Sequence, residues 1–338
     1  MTVVTEAAAL TSGVRARRPS AARLAVVALI GGAIVVPFVV TGYHVLQLTQ
    51  IAIYAIAILG LNLVTGYSGQ ISLGNGAFFA LGSYTAALLI TRLGVPYWLT
   101  PPIAAVVCYG FGYAFGRSAT RLEGIYLALA TFGLAVSTPS ILKFELLERW
   151  TGGSQGVVLA KPSSPIAALD VDQWLYLFTL VVAIIVFVAA WNVIRGRTGR
   201  ALAALRDHSI AASTMGIDTV SYKSIAFGVC AMVTGIAGAL QATVTGYVSP
   251  DSFQVFLSIQ LLVGGVVGGI ASIFGSLFGA AFIELVPDYA KALSDDAPAA
   301  LYGILLIICM MGMPGGIAGL AYQTRMWLAR RRVHRASS

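Results

Sequence analysis

Long apolar runs separated by short polar segments dominate the pattern of this chain. Asp, Glu, Lys and Arg are all missing from residues 24–91, 224–250, 252–283 and 299–324. A helix needs about 20 apolar residues to cross a hydrocarbon core, so each stretch can hold at least one span. The runs do not alternate in polarity, which disfavours a transmembrane β-barrel. We predict helical spans at 24–41, 46–65, 70–91, 96–116, 122–142, 173–194, 223–247 and 299–322.

One further apolar stretch, 254–286, is rich in glycine and too long for a single ordinary crossing. We interpret it as two short helices or a hairpin. Glycine recurs there at a spacing of four in three pairs, Gly264–Gly268, Gly265–Gly269 and Gly275–Gly279. Because small residues at this spacing let helices approach closely, the pairs predict helix packing rather than a direct role in binding a solute.

Composition also indicates a membrane protein. Hydrophobic residues make up 58% of the 338 residues and charged residues only 10%, whereas soluble domains carry about 25% charged residues. The net charge of +8 comes from basic residues at the ends of apolar runs. Lipid headgroups explain such residues better than nucleic acid does. The first apolar run has no small-x-small cleavage site after it, which predicts an uncleaved first helix.

The charge of the loops sets the orientation, because cytoplasmic loops carry an excess of Lys and Arg. The N-terminal tail, segment 195–206 and the C-terminal tail are basic, so we place them in the cytoplasm. Segments 143–172 and 287–298 carry more acidic than basic residues and are placed outside. All loops then agree with ten spans, or with eight full crossings if 254–286 is re-entrant. The predicted organisation is a cytoplasmic tail 1–23, a transmembrane domain 24–322 with a cytoplasmic loop 195–222, and a cytoplasmic tail 323–338.

Little in the chain could power transport or catalyse a reaction. Ion-driven carriers place ionisable residues near mid-membrane, whereas Glu123 and Glu284 lie near the ends of predicted spans. None of the four lysines follows a glycine, as it would in a P-loop. The three histidines are far apart, and no catalytic cluster is visible in the spans. We therefore expect a chain that is not an enzyme, holds no metal or cofactor, and takes its energy from another protein.

The most polar membrane segment is 66–76, Gly-Tyr-Ser-Gly-Gln-Ile-Ser-Leu-Gly-Asn-Gly. Non-helical backbone at membrane depth occurs only where protein buries it or where it lines a cavity. The residues alone leave two interpretations open. One is a broken helix on the path of a polar solute, and the other is a cytoplasmic turn followed by a small-residue packing face.

Residues 199–216 differ from their apolar surroundings. They are rich in alanine, carry charges and end in Gly216, which predicts a short pair of cytosolic helices. Leu202, Leu205 and Ile210 could give the pair one apolar side. Such a side could lie on lipid headgroups or dock on a soluble partner.

These segments resemble the permease subunits of high-affinity branched-chain amino acid ATP-binding-cassette importers, whose relatives move urea or short amides. Three stretches carry the resemblance over about residues 45–320, with smaller similarities at 122–128 and 147–156. They are 66–84, the run 204–227 with Ala204-Leu205-Arg206-Asp207, Ala211-Ala212, Met215-Gly216-Ile217, Tyr222-Lys223 and Ala226-Phe227, and 264–279.

The resemblance implies an all-α fold of about ten spans, like that of vitamin B12-type importer permeases, and transport by alternating access. It implies a second permease subunit, usually a paralogue, and two cytosolic ATPases that bind ATP and Mg²⁺. It also implies an extracytoplasmic solute-binding protein, docked onto 143–172 and 287–298, and a bacterial cytoplasmic (inner) membrane location.

The run 204–227 contains a segment similar to the coupling-helix motif of such permeases, Glu-Ala-Ala-x-x-x-Gly. Ala211, Ala212 and Gly216 match, but Ile210 stands where the glutamate would be, so Arg206 or Asp207 would have to supply the charge. The implied ATPase-coupling residues are Arg206, Asp207, Ile210, Ala211, Ala212, Met215 and Gly216.

A path for the solute should bind it weakly, because a tight site would slow release. We place on this path Asn62, Ser68, Gln70, Ser72, Asn75 and Tyr84. Gln70 and Asn75 could instead tie helix ends together.

Two other functions remain as alternatives. A passive channel for a neutral solute such as urea would need no coupling helix. An ion-coupled carrier would need the intramembrane charge that this sequence lacks. The solute itself stays open among branched-chain amino acids, urea, amides and small aromatic acids.

Overall fold

The computed structural model describes residues 31–38, 40, 42–119, 122, 124–165 and 169–293, with single positions 303, 307, 316 and 319. Residues 31–38 are helical and belong to a separate unit, Met1–Gly42. Half of the predicted span 24–41, all but four residues of the predicted span 299–322 and both tails lie outside the described residues. The number of ten spans therefore stays a prediction.

From Gly42 onward the described chain is predominantly helical. Its α-helices are α1 (Gly42–Asn62), α2 (Asn75–Leu93), α3 (Thr100–Ala119), α4 (Ile125–Leu142), α5 (Glu145–Thr151), α6 (Val171–Arg195), α7 (Arg197–Asp207), α8 (Ser209–Thr214), α9 (Thr219–Thr245), α10 (Val255–Gly268) and α11 (Gly275–Leu293). A π-helical turn, Leu63–Tyr67, continues α1, and 3₁₀ turns lie at Tyr97–Leu99, Gly153–Gln155 and Pro250–Phe253. Two short antiparallel strands, β1 (Val157–Val158) and β2 (Tyr247–Val248), pair with each other.

Six helical segments in the described chain are long and apolar enough to cross a membrane. They are Gly42–Tyr67, Asn75–Leu93, Tyr97–Ala119, Ile125–Leu142, Val171–Arg195 and Thr219–Thr245. Each corresponds to a predicted span within a few residues, although the span predicted at 70–91 begins only at Asn75. The chain is therefore a multi-pass helical membrane protein.

The stretch 254–286 forms two helices, α10 and α11, as the sequence predicted. They pack as a hairpin, because a Cβ on Gly264 would meet the carbonyl oxygen of Gly279 at 3.3 Å, and Gly268 lies directly against Gly275. With 14 residues, α10 is about 21 Å long, shorter than the hydrocarbon core of about 30 Å.

The other glycine pair in this stretch does not form one helix face. A Cβ on Gly265 would meet Leu61 of α1 at 3.6 Å. Gly269 lies just beyond the end of α10, with a φ of 113°. Gly265 therefore packs on α1 from within α10, whereas Gly269 follows the end of that helix.

Helix α9 lies at the centre of the described bundle. In α1 and in α9, 72% of the most apolar 18-residue segment is buried, whereas in α4 and in α6 only 22% is buried. Small residues allow the close contacts, since Gly235 of α9 lies against Gly82 of α2 and against the Cys108 sulfur of α3. Helices α4 and α6 therefore form the periphery of the described bundle.

Asp218 caps the N-terminus of α9. Its Oδ1 accepts hydrogen bonds from the backbone N–H groups of Val220 and Ser221, and its Oδ2 accepts one from the Ser221 hydroxyl at 2.5 Å. The hydrogen bond from the Ser221 hydroxyl, followed by the backbone hydrogen bonds, lowers the pKa of Asp218. The cap starts α9 at Thr219, so the last residues of the predicted loop 195–222 belong to the helix.

Candidate functional site

The segment between α1 and α2 is a break in helical structure. The helix changes to π-helical geometry at Leu63–Tyr67, and residues 68–74 are not helical. The N–H of Gln70 donates back to the carbonyl of Val64 at 3.2 Å, and Gly69 has a φ of +69°. We call residues 63–74 the helix break.

The C-terminal end of the helix break, next to Asn75, lies level with the middle of α9. Asn75, the first residue of α2, donates weakly to the Thr234 hydroxyl at 3.5 Å and accepts from the Cys230 thiol at 3.3 Å. These two residues flank the midpoint of α9, which has 27 residues and is about 40 Å long. Helix α2 therefore starts deep inside the bundle, which favours the broken-helix interpretation over a turn at the surface.

Hydroxyl groups of two other helices hold the helix break in place. The N–H of Leu73 donates to the Thr131 hydroxyl of α4 at 2.9 Å, and the N–H of Gly76 donates to the Ser258 hydroxyl of α10 at 2.9 Å. Both hydroxyls are buried. Neither hydroxyl can be recognised from the sequence, because a lone hydroxyl in an apolar run gives no sign of its distant partner.

All six predicted path residues are buried: Asn62, Ser68, Gln70, Ser72, Asn75 and Tyr84. The first five lie in or beside the helix break. Gln70 donates to the Ser68 hydroxyl, and the Asn62 amide donates to the carbonyl of Ser272 at 3.3 Å. The hydroxyl of Ser72 accepts from the N–H of Gly74 at 3.4 Å.

Tyr84 lies apart from the other five, about 14 Å farther along α2. Its ring makes an edge contact with Phe253, which also contacts Phe79, and Phe79 stacks on Tyr54. The structure therefore places Tyr84 in an aromatic cluster rather than at the helix break.

Some buried oxygen atoms at these positions have no hydrogen-bond partner within the described protein. They include Gln70 Oε1, Thr65 Oγ1 and the Tyr84 hydroxyl. A buried polar group left unpaired costs about 1–3 kcal/mol. Water or a polar solute that passed here would therefore find free acceptors.

A cleft of about 250 Å³ lies at the other end of α2. Its lining includes Ile90, Tyr97, Leu159, Lys161 and Thr243. No predicted path residue lines it, and the loops around it are those predicted to face outward. The cleft is therefore distinct from the helix break.

The segment 197–214 contains the two short helices that the sequence predicted, α7 and α8. Leu202 and Leu205 of α7 are buried, whereas Ile210 of α8 is 80% exposed and Met215 just after it is 85% exposed. The predicted single apolar side is therefore wrong, because Leu202 and Leu205 pack on the bundle while Ile210 points away from it.

The remaining residues of the predicted coupling motif have different surroundings. Ala212 is buried and Ala211 is exposed. Gly216 has a φ of +84°, and no described atom lies within 4 Å of a Cβ placed on it. A left-handed residue here ends the helical segment, because glycine adopts this conformation without strain.

Arg206 and Asp207 lie at the end of α7, beside the N-terminal part of the helix break. Arg206 Nη1 donates to the carbonyl of Gly66 at 3.0 Å. Its Nε and Nη2 donate to Asp207 Oδ1 at 3.2 and 3.1 Å. The predicted coupling segment and the helix break are therefore in direct contact through Arg206.

Comparison with known proteins identifies the family. A family model described as "Branched-chain amino acid transport system / permease component" matches residues 43–314. The chain is 32% identical over 325 residues to the high-affinity branched-chain amino acid transport system permease protein LivM of Escherichia coli (strain K12), covering 87% of this chain and 74% of that protein. No solved structure matches the chain significantly.

Two further relatives carry similar names. The chain is 24% identical over 301 residues to the permease protein LivH of the same E. coli strain, covering 79% of this chain and 91% of that protein. It is 24% identical over 231 residues to the permease protein BraD of Pseudomonas aeruginosa, covering 62% and 74%. These matches confirm the resemblance seen in the sequence, and the chain belongs to the permease components of branched-chain amino acid transport systems.

Proposed function

We propose that this chain is the membrane-spanning permease subunit of an ATP-driven importer for branched-chain amino acids or similar small polar solutes. Membership in the permease family supports the transport role. The observation that carries ATP coupling is the exposure of Ile210 and Met215 at the tip of α8, beyond an α7 that packs on the bundle. Exposed apolar side chains on a short helix in a basic loop suit docking into a groove of a soluble ATPase.

The division of roles in the coupling segment follows from these exposures. Ile210 replaces the acidic residue of the usual motif, so its contact with the ATPase is apolar rather than ionic. The side chains of Ala211 and Ala212 are small, and Gly216 makes the turn that ends the segment. ATP and Mg²⁺ bind in the partner ATPases, and this chain needs no cofactor of its own.

The helix break provides the path for the solute. Its polar side chains are amides and hydroxyls, which can both donate and accept hydrogen bonds. Such groups can meet the ammonium and the carboxylate of an amino acid in turn without holding either tightly, which suits a path through which the solute must leave. On this path we place Asn62, Ser68, Gln70, Ser72 and Asn75, with Tyr84 beyond them.

The complete transporter contains several further proteins. The similarity of this chain to both LivM and LivH supports a second permease subunit that is a paralogue. A solute-binding protein docks on segments 143–172 and 287–298 of the outer face. In the described part of this face, Lys143 forms an ion pair with Asp251 at 2.6 Å and β1 pairs with β2. We place the assembly in the bacterial cytoplasmic membrane, with ten spans, a vitamin B12-type fold and alternating access.

The experiment that tests this proposal is affinity purification of the tagged chain from its native membrane in mild detergent. We expect two ATPases and a second permease to co-purify. The double variant Ile210→Arg/Met215→Arg should lower the ATPase yield by at least about tenfold, because hot-spot truncations cost about 2 kcal/mol or more. The second permease should stay bound.

The matched control is Leu146→Arg, which places a charge at a similarly exposed apolar residue, 79% exposed, on the face predicted to be outside. It should keep the ATPases. A wild-type chain that purifies without any ATPase refutes the importer and leaves the passive channel. A double variant that retains the ATPases refutes the role of the α8 tip.

A further inference from the structure

The contact between Arg206 and Gly66 joins two parts of the chain that lie 140 residues apart. The Gly66 carbonyl lies in the π-helical turn just before the chain leaves helical structure. A backbone carbonyl at a helix end is not used by the helix itself and needs another donor. Arg206 Nη1 supplies this donor at 3.0 Å, so a charged side chain of the coupling segment holds the last turn of the helix.

The guanidinium is aimed by its neighbour. Both Nε and Nη2 of Arg206 donate to Asp207 Oδ1, which leaves Nη1 pointing at Gly66. The planar guanidinium has fixed donor directions, so fixing two nitrogen atoms fixes the third. The charge of Arg206 is therefore already paired within this chain, and its Nη1 hydrogen bond reaches the helix break.

The side chain of Arg206 also lies closely over the helix break. A Cβ on Gly69 would come within 2.8 Å of Arg206 Cγ. Leu202 and Leu205 of the same helix are buried, and Leu202 shares an apolar cluster with Val64 of the π-helical turn. Helix α7 and the turn therefore touch through both polar and apolar groups.

Gly66 also contacts the tip of the α10–α11 hairpin. A Cβ on Gly66 would lie 2.6 Å from the Ala271 Cα, and Asn62 donates to the carbonyl of Ser272. Ala271 has a φ of +64°, a left-handed conformation that is uncommon for residues other than glycine. The last turn of α1 is thus held between Arg206 on one side and the hairpin tip on the other.

We propose that Arg206 is a positioning residue that transmits movement of the coupling segment to the helix break. The proposal rests on the proposed function, since it needs an ATPase that moves α8. Arg206 lies in the last turn of α7, directly before α8, so a shift of α8 displaces the guanidinium and the Gly66 carbonyl with it. A π-helical turn is a suitable element to receive this movement, because such turns are frequent at functional sites. The displacement reaches the path residues through Gly66 and the hairpin tip through Ala271.

The experiment uses the complete transporter, with both permeases, the ATPases and the binding protein, reconstituted in lipid vesicles. Solute uptake and ATP hydrolysis are measured together, and the readout is the number of solute molecules imported per ATP hydrolysed. With Arg206→Ala this ratio should fall by about tenfold, the effect expected for losing one charge-assisted hydrogen bond. Arg206→Lys keeps the charge but not the fixed donor directions and should restore only part of the ratio.

The matched control is Arg200→Ala on the same helix. The Arg200 guanidinium donates to the carbonyl of Arg195, close in sequence, and makes no such bond to the helix break. It should leave the ratio at the wild-type value. If Arg206→Ala also keeps the wild-type ratio, Arg206 only caps the end of a helix and the proposal is refuted.

If the transporter with Arg206→Ala does not assemble, a second variant tests the proposal. Asp207→Ala leaves Arg206 in place and removes the carboxylate that aims it, at a side chain that is mostly exposed. The ratio should fall by severalfold, and a wild-type ratio would overturn the proposal. If the proposed function itself is wrong, vesicles with the wild-type transporter will show no ATP-dependent solute uptake, a result that differs from a change in the ratio of one variant.

Discussion

Helices α2 and α9 approach each other closely at Gly82, and this contact allows a quantitative test of the fold. A Cβ on Gly82 would lie 2.6 Å from both the carbonyl carbon and the Cα of Gly235, and closer still to its carbonyl oxygen. Carbon atoms in van der Waals contact lie about 3.5–4.0 Å apart. The substitution Gly82→Ala therefore forces the two helices apart by roughly 1 Å.

The size of the effect follows from three contributions. Overpacking costs about 1–3 kcal/mol. Separation of the helices would also stretch the hydrogen bond from the Ser83 hydroxyl to the carbonyl of Gly238, which is 2.8 Å long, and its loss costs about 1 kcal/mol. The higher helix propensity of alanine returns about 1 kcal/mol. The net destabilisation should be about 1–3 kcal/mol.

The assay is thermal unfolding of the purified chain in detergent, followed by a thiol-reactive fluorophore. With the third cysteine replaced in a Cys309→Ser background, the signal comes from Cys108 and Cys230, which are free and buried and so react only when the bundle opens. Gly82→Ala should lower the Tm by several degrees. The control is Gly133→Ala in α4, where a Cβ meets no described atom within 4 Å, so the variant should gain up to about 1 kcal/mol from helix propensity. If Gly82→Ala melts no lower than Gly133→Ala, the helices are not in the contact described.

Two further predictions concern the cap of α9 and the start of α2. The lowered pKa of Asp218 means that its cap stabilises the fold above the ordinary aspartate pKa and that this stabilisation is lost as the pH falls through the lowered value. Asp218→Ala should therefore have a lower Tm than wild type at neutral pH, and the difference in Tm should shrink in acid. A difference in Tm that grows in acid would contradict this prediction. The Asn75 side chain makes a long hydrogen bond to the Thr234 hydroxyl and accepts one from the Cys230 thiol, a weak donor. Asn75→Leu should therefore change the Tm little and yet reduce uptake by reconstituted transporter about tenfold or more, since the path loses a polar group. The control Asn192→Leu, at an exposed asparagine near the end of α6, should transport normally, and equal uptake by both variants would remove Asn75 from the path.

Much of the architecture could be read from the sequence because it depends on local composition. Runs without charge located six described spans within a few residues, since an apolar helix of this length has few other stable environments. One boundary is predicted wrongly. The sequence places residues 70–74 in a span, although the helix begins at Asn75, because a mixture of glycine, hydroxyl and amide residues does not show by itself where a helix starts.

The pairing of distant residues could not be predicted in this way. Nothing near Gly66 in the sequence indicates Arg206 as the donor to its carbonyl. Thr131 and Ser258 are single hydroxyls in apolar runs, and their roles follow only from the backbone N–H groups that they meet. The expected apolar side of the coupling segment failed for the same reason, since the bend between α7 and α8 turns Ile210 away from Leu202 and Leu205.

The amino-acid sequence is enough to establish that the chain is a helical membrane protein, which motifs relate it to a permease family, and where the described spans lie. These properties follow from hydrophobic length, loop charge and short motifs, all of which act over a few turns of helix. The folded chain is needed to show that α2 starts level with the middle of α9, that α10 and α11 form a hairpin against α1, and that Arg206 reaches the helix break. Those contacts join residues far apart in the chain, and their energies depend on the close approach of helices rather than on the composition of any one segment.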